Sequence, residues 1–542
     1  MEKSICYLFS VPLEPDYKHT YFFNSLAEQT SFFLNRAKNN LFTDDFTYIR
    51  KDGIIRFPEK FDNIIEKNVN YCMYQNPGDY SGKWYYAFVT DLKYVAKEMT
   101  EIYIETDVIQ TWLFDYEVKP SFIEREHTAN DTIGNNTLEE GLELGEYVSE
   151  KRIDFIPLSN LYEGASDNLA YVVGSTVLLN NSEFPKTNGG NYNGVYSGLK
   201  YFYYSDSESL DSVIAALPLS GRAEAIHTIF MAPKQFLKAE GNKGKVTEST
   251  YCKTMRWSNA SIEFEDGSFL DQEQIYKPDK LGSYTPRNKK LLTFPFCYLN
   301  MHNNAGATAL YRYEDFKKGD SSLEDNQLEF VVSFALTPGC SIRLHPMYYK
   351  GLTENPSEGL TGGKFPICNW ATDVYTNWLT QNSANMQVAI GSAAVGGIVS
   401  AVTLDGHGVA SSISNIAGTL AEKHTRSFQP PQVEGNINSG DVMFSMGLST
   451  FSAEQMRIKE EYARIIDDFF DMFGYKIHRV KVPNKNHRTH FWYTKTIDAN
   501  IDGGIPAKDI QRIKEAYNNG ITFWKNTANI GSYGLAVSNK II

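Results

Sequence analysis

The chain has 542 residues, 42% of them hydrophobic, which supplies several cores and excludes a disordered or fibrous protein. Its 52 Lys and Arg stand against 65 Asp and Glu, a formal net charge of −13. That balance argues against a protein that grips nucleic acid by neutralising phosphates. Aromatic residues reach 14%, with 34 Tyr and 33 Phe, favouring strands and protein–protein surfaces over helical bundles. The six cysteines (Cys6, Cys72, Cys252, Cys297, Cys340 and Cys368) form no CxxC pair and read as buried thiols of a protein made in a reducing cytoplasm. Ser10, Pro12 and Glu14 interrupt the first apolar stretch and no basic leader precedes it, so no secretion signal is expected.

Asn76-Pro77-Gly78-Asp79 marks a turn into strand-like sequence running to Ile123. Trp84–Thr90 is one strand; in Glu101–Glu105, Ile102 and Ile104 alternate with polar or aromatic neighbours, and Val108, Ile109, Trp112 and Phe114 are expected to continue it. The polar, acidic stretch Asn130–Gly145 is a boundary. Residues 150–285 hold short aromatic strands such as Tyr201–Tyr204, broken by turns like Asn188–Asn191. From Leu291 to Pro346 a further β segment contains a hairpin, Phe330–Leu336 and Ser341–Leu344 flanking Pro338-Gly339. Ser452-Ala-Glu-Gln455 reads as a capping box opening a helix with Ile458, Tyr462, Ile465, Ile466 and Phe469 on its apolar face, stopped by Gly474. A second helix starts near Pro506, buries Ile510, Ile513 and Tyr517, and ends before Gly520. The expected fold class is mainly β (α+β), multidomain, with a few helices.

Enzyme signatures are missing: there is no GxSxG, HExxH, GxxxxGK[ST] or post-strand GxGxxG. Gly78–Trp84 has the wrong spacing for a phosphate loop and reads as a turn entering a strand. His487 and His490, beside Lys485 and Arg488, read as a solvated basic loop rather than a metal site. No cofactor is expected. One metal pattern is weighed: Asp498-x-Asn500-x-Asp502-Gly503, with Asp509 at the place of a bidentate Glu, resembles the start of a calcium loop, against an ordinary turn before a helix.

The strongest signal lies between Val374 and Leu404, a stretch without Asp, Glu, Lys or Arg. Its inner part, Val388-Ala389-Ile390-Gly-Ser-Ala393-Ala-Val395-Gly396-Gly397-Ile398-Val399-Ser-Ala401-Val402-Thr-Leu404, is built from small and β-branched residues. After the polar tip Asp405-Gly-His407-Gly408, a second small-residue run follows from Val409 to Ala421, with Ile413, Ile416 and Leu420. As a helix, 388–404 is ~25 Å long at 1.5 Å per residue, short of a comfortable lone span. Ala389, Ala393, Gly397 and Ala401 recur every fourth residue, as do Ser392, Gly396 and Ser400, giving faces that let helices approach closely in lipid. Glycine and β-branched residues weaken helix formation in water, so the segment is adaptable. A buried core helix pair is the alternative. Pro430-Pro431 and Gly435–Gly440 after it read as a linker.

Several stretches carry a family likeness: Asp16–Thr20, Gly82–Thr90, Glu105–Trp112, Ser121–His127 and Glu140–Leu142 in the first part; Lys290-Leu291 and Phe294–Cys297 further on; and Gly474–Asn484, Asn519–Thr522 with Trp524, and Asn529–Tyr533 near the end. In these the chain resembles the distal tail tube, or tail knob, proteins of small short-tailed picovirus-type bacteriophages. Residues 150–285 do not share the likeness. The resemblance implies a β-barrel or sandwich tail-tube protomer with a long apolar helical-hairpin or loop insertion. It further implies a non-enzymatic virion protein at the distal end of the tail, made in the host cytoplasm and assembled as a homohexamer on the proximal tail tube or lower collar protein. In that family hydrophobic loops plug the tube, then insert among host cytoplasmic membrane lipids to form a channel, while viral double-stranded DNA passes without sequence-specific binding. The expected division is an N-terminal β tube domain (1–129), a central β-rich domain (130–285), a second β tube domain (286–377), the membrane-active loop (378–440) and a C-terminal α+β segment (441–542). A sugar-binding tail tip and a wall hydrolase are the competing readings.

Overall fold

The structure, a computed structural model, describes residues 3–155 apart from 39 and 79–81, parts of 169–369 in shorter stretches, and 451–542 apart from 534–538. It is mainly β, with helices α1 (Leu26–Ala37), α2 (Phe61–Glu66), α3 (Val108–Trp112), α4 (Glu460–Phe473) and α5 (Ala507–Asn519) among the described residues. The chain divides into two compact units: residues 1–144, 286–291 and 460–542 form the first, and 145–285 with 292–459 the second. The polar stretch 130–145 ends at the first crossing. The units cut across the five expected segments, because the N-terminal part and the chain from 460 onward share one sheet. In it His19–Tyr21 pairs in parallel with Ile521–Trp524, which continues through Phe491–Asp498 and Ser121–Glu126 to Tyr475–Lys481.

The other large sheet of the first unit has six strands, in the order Leu41–Phe46, Ser4–Phe9, Tyr71–Gln75, Trp84–Ala96, Met99–Thr106, Ile54–Phe57. The period-two alternation expected around Ile102 and Ile104 is present: Thr100, Ile102, Ile104 and Thr106 are buried and their neighbours less so. Both faces are covered. One buries Cys6, Leu8, Cys72 and Ile102 against Ile64 of α2. The other sets Phe9, Tyr71, Tyr86 and Phe88 against Phe33 of α1, Val108 of α3 and Ile513 and Tyr517 of α5.

Three local expectations need correction. Residues after Asp107 do not continue a strand: the Asp107 side chain accepts from the Gln110 N–H at 3.0 Å and caps α3, whose five residues are all buried. A short apolar run fits either state, and the cap decides it. The Ser452–Gln455 capping box does not form, because Phe451–Ile458 is a strand paired on both sides, with Tyr147–Phe155 and with Cys297–His302. Its helix starts only at Glu460 and buries Ala463, Ile466, Asp467 and Phe470, leaving Ile465 65% exposed. Arg488 is not solvated either; it is buried and donates to the carbonyls of Asn539 and Thr128. Both helix stops hold. Gly474, at φ +64°, donates its N–H to the Phe470 carbonyl at 2.8 Å, and Gly520, at φ +93°, ends α5.

In the second unit, Phe330–Ala335 and Ser341–Tyr349 form the expected hairpin with Ala335 opposite Ser341. Tyr311, Phe316, Phe330 and Tyr349 make a cluster of edge-to-face and tilted rings with centroid separations of 4.8–6.3 Å.

Candidate membrane-active segment and the strands that hold it

Every residue expected to meet lipid, from Val388 to Leu420, lies within 370–450, outside the described residues, as do the tip residues Asp405 and His407 and the Pro430-Pro431 linker. The flanks of the segment are described. Before it, Ile367–Asn369 pairs antiparallel with Ile226–Pro233 and forms the edge of a five-stranded sheet. After it, Phe451–Ile458 is an inner strand of a four-stranded sheet, in the order Tyr147–Phe155, Phe451–Ile458, Cys297–His302, Thr308–Tyr311. An edge strand can end without disturbing a ladder, whereas an inner strand is held on both sides.

The re-entry strand is fixed by its side chains as well. Phe451, Ser452, Ala453 and Ile458 are buried. Phe451 sits so close to Gly362 that a Cβ there would lie 3.0 Å from the Phe451 ring, and the Gly362 N–H donates to the Ile342 carbonyl at 2.7 Å. The chain at Gly362 therefore touches Phe451, the first described residue after the segment, while Ile367–Asn369 pairs in a different sheet. Polar groups complete the hold: Arg152 bonds Ser452 at 3.2 Å, His302 Nε2 lies 3.2 Å from Glu454, and Arg457 pairs with Glu150 at 3.0 Å. Arg457 and Glu150 are only partly exposed, which reduces solvent screening of that pair.

The calcium candidate does not assemble. Asp509 is fully buried, paired with Lys51 and accepting from Trp112 Nε1 at 2.8 Å, while Asp498, Asn500 and Asp502 are exposed near strand ends. The reason is α5: it turns Asp509 into the core, where a cation and an indole N–H already satisfy one carboxylate oxygen. Among the described residues no group of three His, Cys, Asp or Glu side chains could hold a metal, and no helix is long and apolar enough to cross a membrane.

All but one of the stretches that carried the family likeness lie in the first unit; Phe294–Cys297 belongs to the second. Glu140 receives Arg125 and Lys290, with the Lys476 N–H at 3.1 Å. Glu126 receives Lys481 and the Asn484 N–H at 3.0 Å. His127 Nδ1 accepts from the Tyr493 N–H at 2.7 Å and its Nε2 meets the Asp471 carbonyl at 2.9 Å, a neutral ring whose pKa burial pushes down to about 3. Stretches hundreds of residues apart thus form one polar frame, which no single motif disclosed.

Comparison with known proteins agrees with this architecture. The chain is 27% identical to tail knob protein gp9 of Bacillus phage B103 across 97% of each chain, and 26% identical to tail knob protein gp9 of Bacillus phage phi29 across 98% of each. Its fold matches that of the bacteriophage C1 tail knob protein gp12 with a TM-score of 0.60 and 15% identity, over 99% of this chain and 100% of the other. Residues 3–117 match the caudoviral major tail protein N-terminus. These relatives bear the names of structural tail proteins, in line with the expectation that the chain is not an enzyme. Residues 261–538, more than half of the chain, match the C-terminal domain of tail knob protein gp9 of Bacillus phage phi29, so the chain belongs to the phage tail knob protein family.

Proposed function

We propose that this structural tail knob protein assembles as a homohexamer on the tail tube, keeps residues 378–440 out of water before infection, and delivers them to the host cytoplasmic membrane during genome ejection. The observation that carries the reading is the uncharged run from Val374 to Leu404, rich in Gly, Ala and Ser, between the described strands Ile367–Asn369 and Phe451–Ile458. One such segment is too short and too glycine-rich to span alone, but several with small-residue faces pack closely in lipid. Sequestering them before infection avoids a large exposed apolar patch on the particle. The net charge of −13 supports a DNA path that repels phosphates and lets the duplex slide.

Liposome leakage tests this. Purified chain lacking residues 385–425 should assemble like the full chain, measured by light scattering and symmetry in electron micrographs, and release no trapped dye. Unchanged leakage by the shortened chain refutes the membrane role. A purified full chain without six-fold symmetry refutes the hexamer separately.

A further inference from the structure

The first unit holds a cleft of about 230 Å³ whose walls include Phe22, Phe114, Trp492 and Phe523, with Lys485 at its rim and Thr494 in its lining. We propose that this cleft is a binding site for a small hydrophobic anion: an aromatic or branched aliphatic group bearing one carboxylate, presented free or at the end of a peptide. The proposal is independent of the membrane reading, since every residue of the cleft lies in the first unit and none in 378–440.

Size comes first. A cavity of about 150 Å³ lined by apolar side chains takes benzene, so this one accepts a six-membered ring with a short polar arm. Its walls are rigid: Trp492 stacks on Phe523 at 5.3 Å and receives Phe22 edge-on at 4.5 Å. Phe114, by contrast, is 41% exposed, an aromatic face left toward solvent at the cleft.

Charge comes second. Lys485 makes no ion pair among the described residues. The one carboxylate that acts on it, Glu117, is already bonded to Lys119 at 2.6 Å. Partial desolvation lowers the Lys485 pKa. With no ion pair to it among the described residues, the ammonium is open to an anion entering the cleft. The third observation is Thr494, 1% exposed, whose hydroxyl has no hydrogen-bond partner among the described residues. A buried polar group without a partner is uncommon in a native protein and marks a lining built for something more than apolar packing. Aromatic walls select a flat or branched apolar group, and the Lys485 ammonium in the lining selects a negative charge.

Saturation-transfer NMR on the full chain, with N-acetyl-L-phenylalanine and its uncharged amide as probes, tests the site. The acid should bind about tenfold more tightly than the amide, the gain expected for one charge-assisted hydrogen bond. Lys485→Gln should remove that difference, and Phe114→Ala should weaken both probes severalfold. A short peptide ending in phenylalanine distinguishes the sources: tighter binding than the free acid assigns the site to a chain end, equal or weaker binding to a small molecule. Absence of binding by both probes, equal binding of acid and amide, or a preference for the acid that survives Lys485→Gln overturns the proposal. The acid–amide comparison uses the unaltered protein, so it stands even where a variant folds poorly.

Discussion

Gly474 gives a measurable test of how α4 is joined to the sheet of the first unit. At φ +64° it occupies the left-handed region, and a Cβ there would lie 2.1 Å from the Glu126 carbonyl oxygen and 2.4 Å from the His127 N. Both are backbone atoms, one at the end of a paired strand and the other just past it with its N–H donating to the Tyr493 carbonyl, and neither can swing aside as a flexible side chain could. Gly474→Ala therefore meets two costs: about 1–2 kcal/mol for a left-handed alanine and about 1–3 kcal/mol for overpacking against fixed atoms. Gly531 is the internal control. It has a similar φ of +76°, but nothing lies within 4 Å of its added Cβ, so Gly531→Ala meets only the first cost. At roughly 2–4 °C per kcal/mol, Gly474→Ala should lower the thermal midpoint by roughly 4–20 °C and Gly531→Ala by roughly 2–8 °C. Differential scanning fluorimetry of the three proteins in one buffer measures this. Equal losses for the two variants would refute the claim that α4 is wedged against the Glu126–His127 backbone.

Glu140→Gln leaves Lys290, 1% exposed, and the nearby Arg125 without their carboxylate; it should cost about 3–5 kcal/mol, read as an earlier denaturant midpoint. The His127 ring is neutral when folded, with its pKa pushed down to about 3. Its contribution is thus complete above an unfolded value of about 6.5 and falls as acid is added, by about 2 kcal/mol at pH 5. Asp107 has the opposite sign: burial raises its pKa to about 6, so its contribution is present below about pH 4 and lost as pH rises through 6. Asp107→Asn should therefore steepen the loss of stability between pH 6 and pH 4, as measured by midpoints across that range; an unchanged slope contradicts the assignment. Calcium and chelator should leave the midpoint where it is, because Asp509 is already bound by Lys51 and Trp112.

Legibility in the sequence followed the range of the interactions. The strands around Trp84 and Ile102, the hairpin at Phe330–Tyr349 and both helix-stopping glycines declare themselves through periods and turns of a few residues. Phe451–Ile458 does not. Its local Ser–Glu spacing favours a helix start, and only partners some 150 and 300 residues earlier, Cys297–His302 and Tyr147–Phe155, make it a strand. At Asp107 the cap sits one residue before an apolar run that reads equally as strand. The aromatic cleft could not be read at all, since Phe22, Phe114, Lys485 and Trp492 belong to separate stretches that meet only after folding. The apolar segment is the reverse case: its composition is plain in the sequence, and its residues lie outside those described.

The way the segment is joined to the fold bears on how it could act. A segment that leaves its unit and reaches lipid needs ends that stay put while its interior changes surroundings. Its C-terminal end is suited to that: Phe451–Ile458 is paired on both sides, and Arg152, His302 and Glu150 hold its polar side chains. Among the described residues the N-terminal end is held more lightly, by three residues on one sheet edge. Release of 378–440 should then begin on the Ile367–Asn369 side. A disulfide placed between that strand and Thr228–Phe230 should suppress liposome leakage, and its reduction should restore it. A disulfide between Phe451–Ile458 and Tyr147–Phe155 should leave leakage unchanged. If the second crosslink blocks leakage and the first does not, the edge strand is not where release begins, and the inner strand is the part that must open.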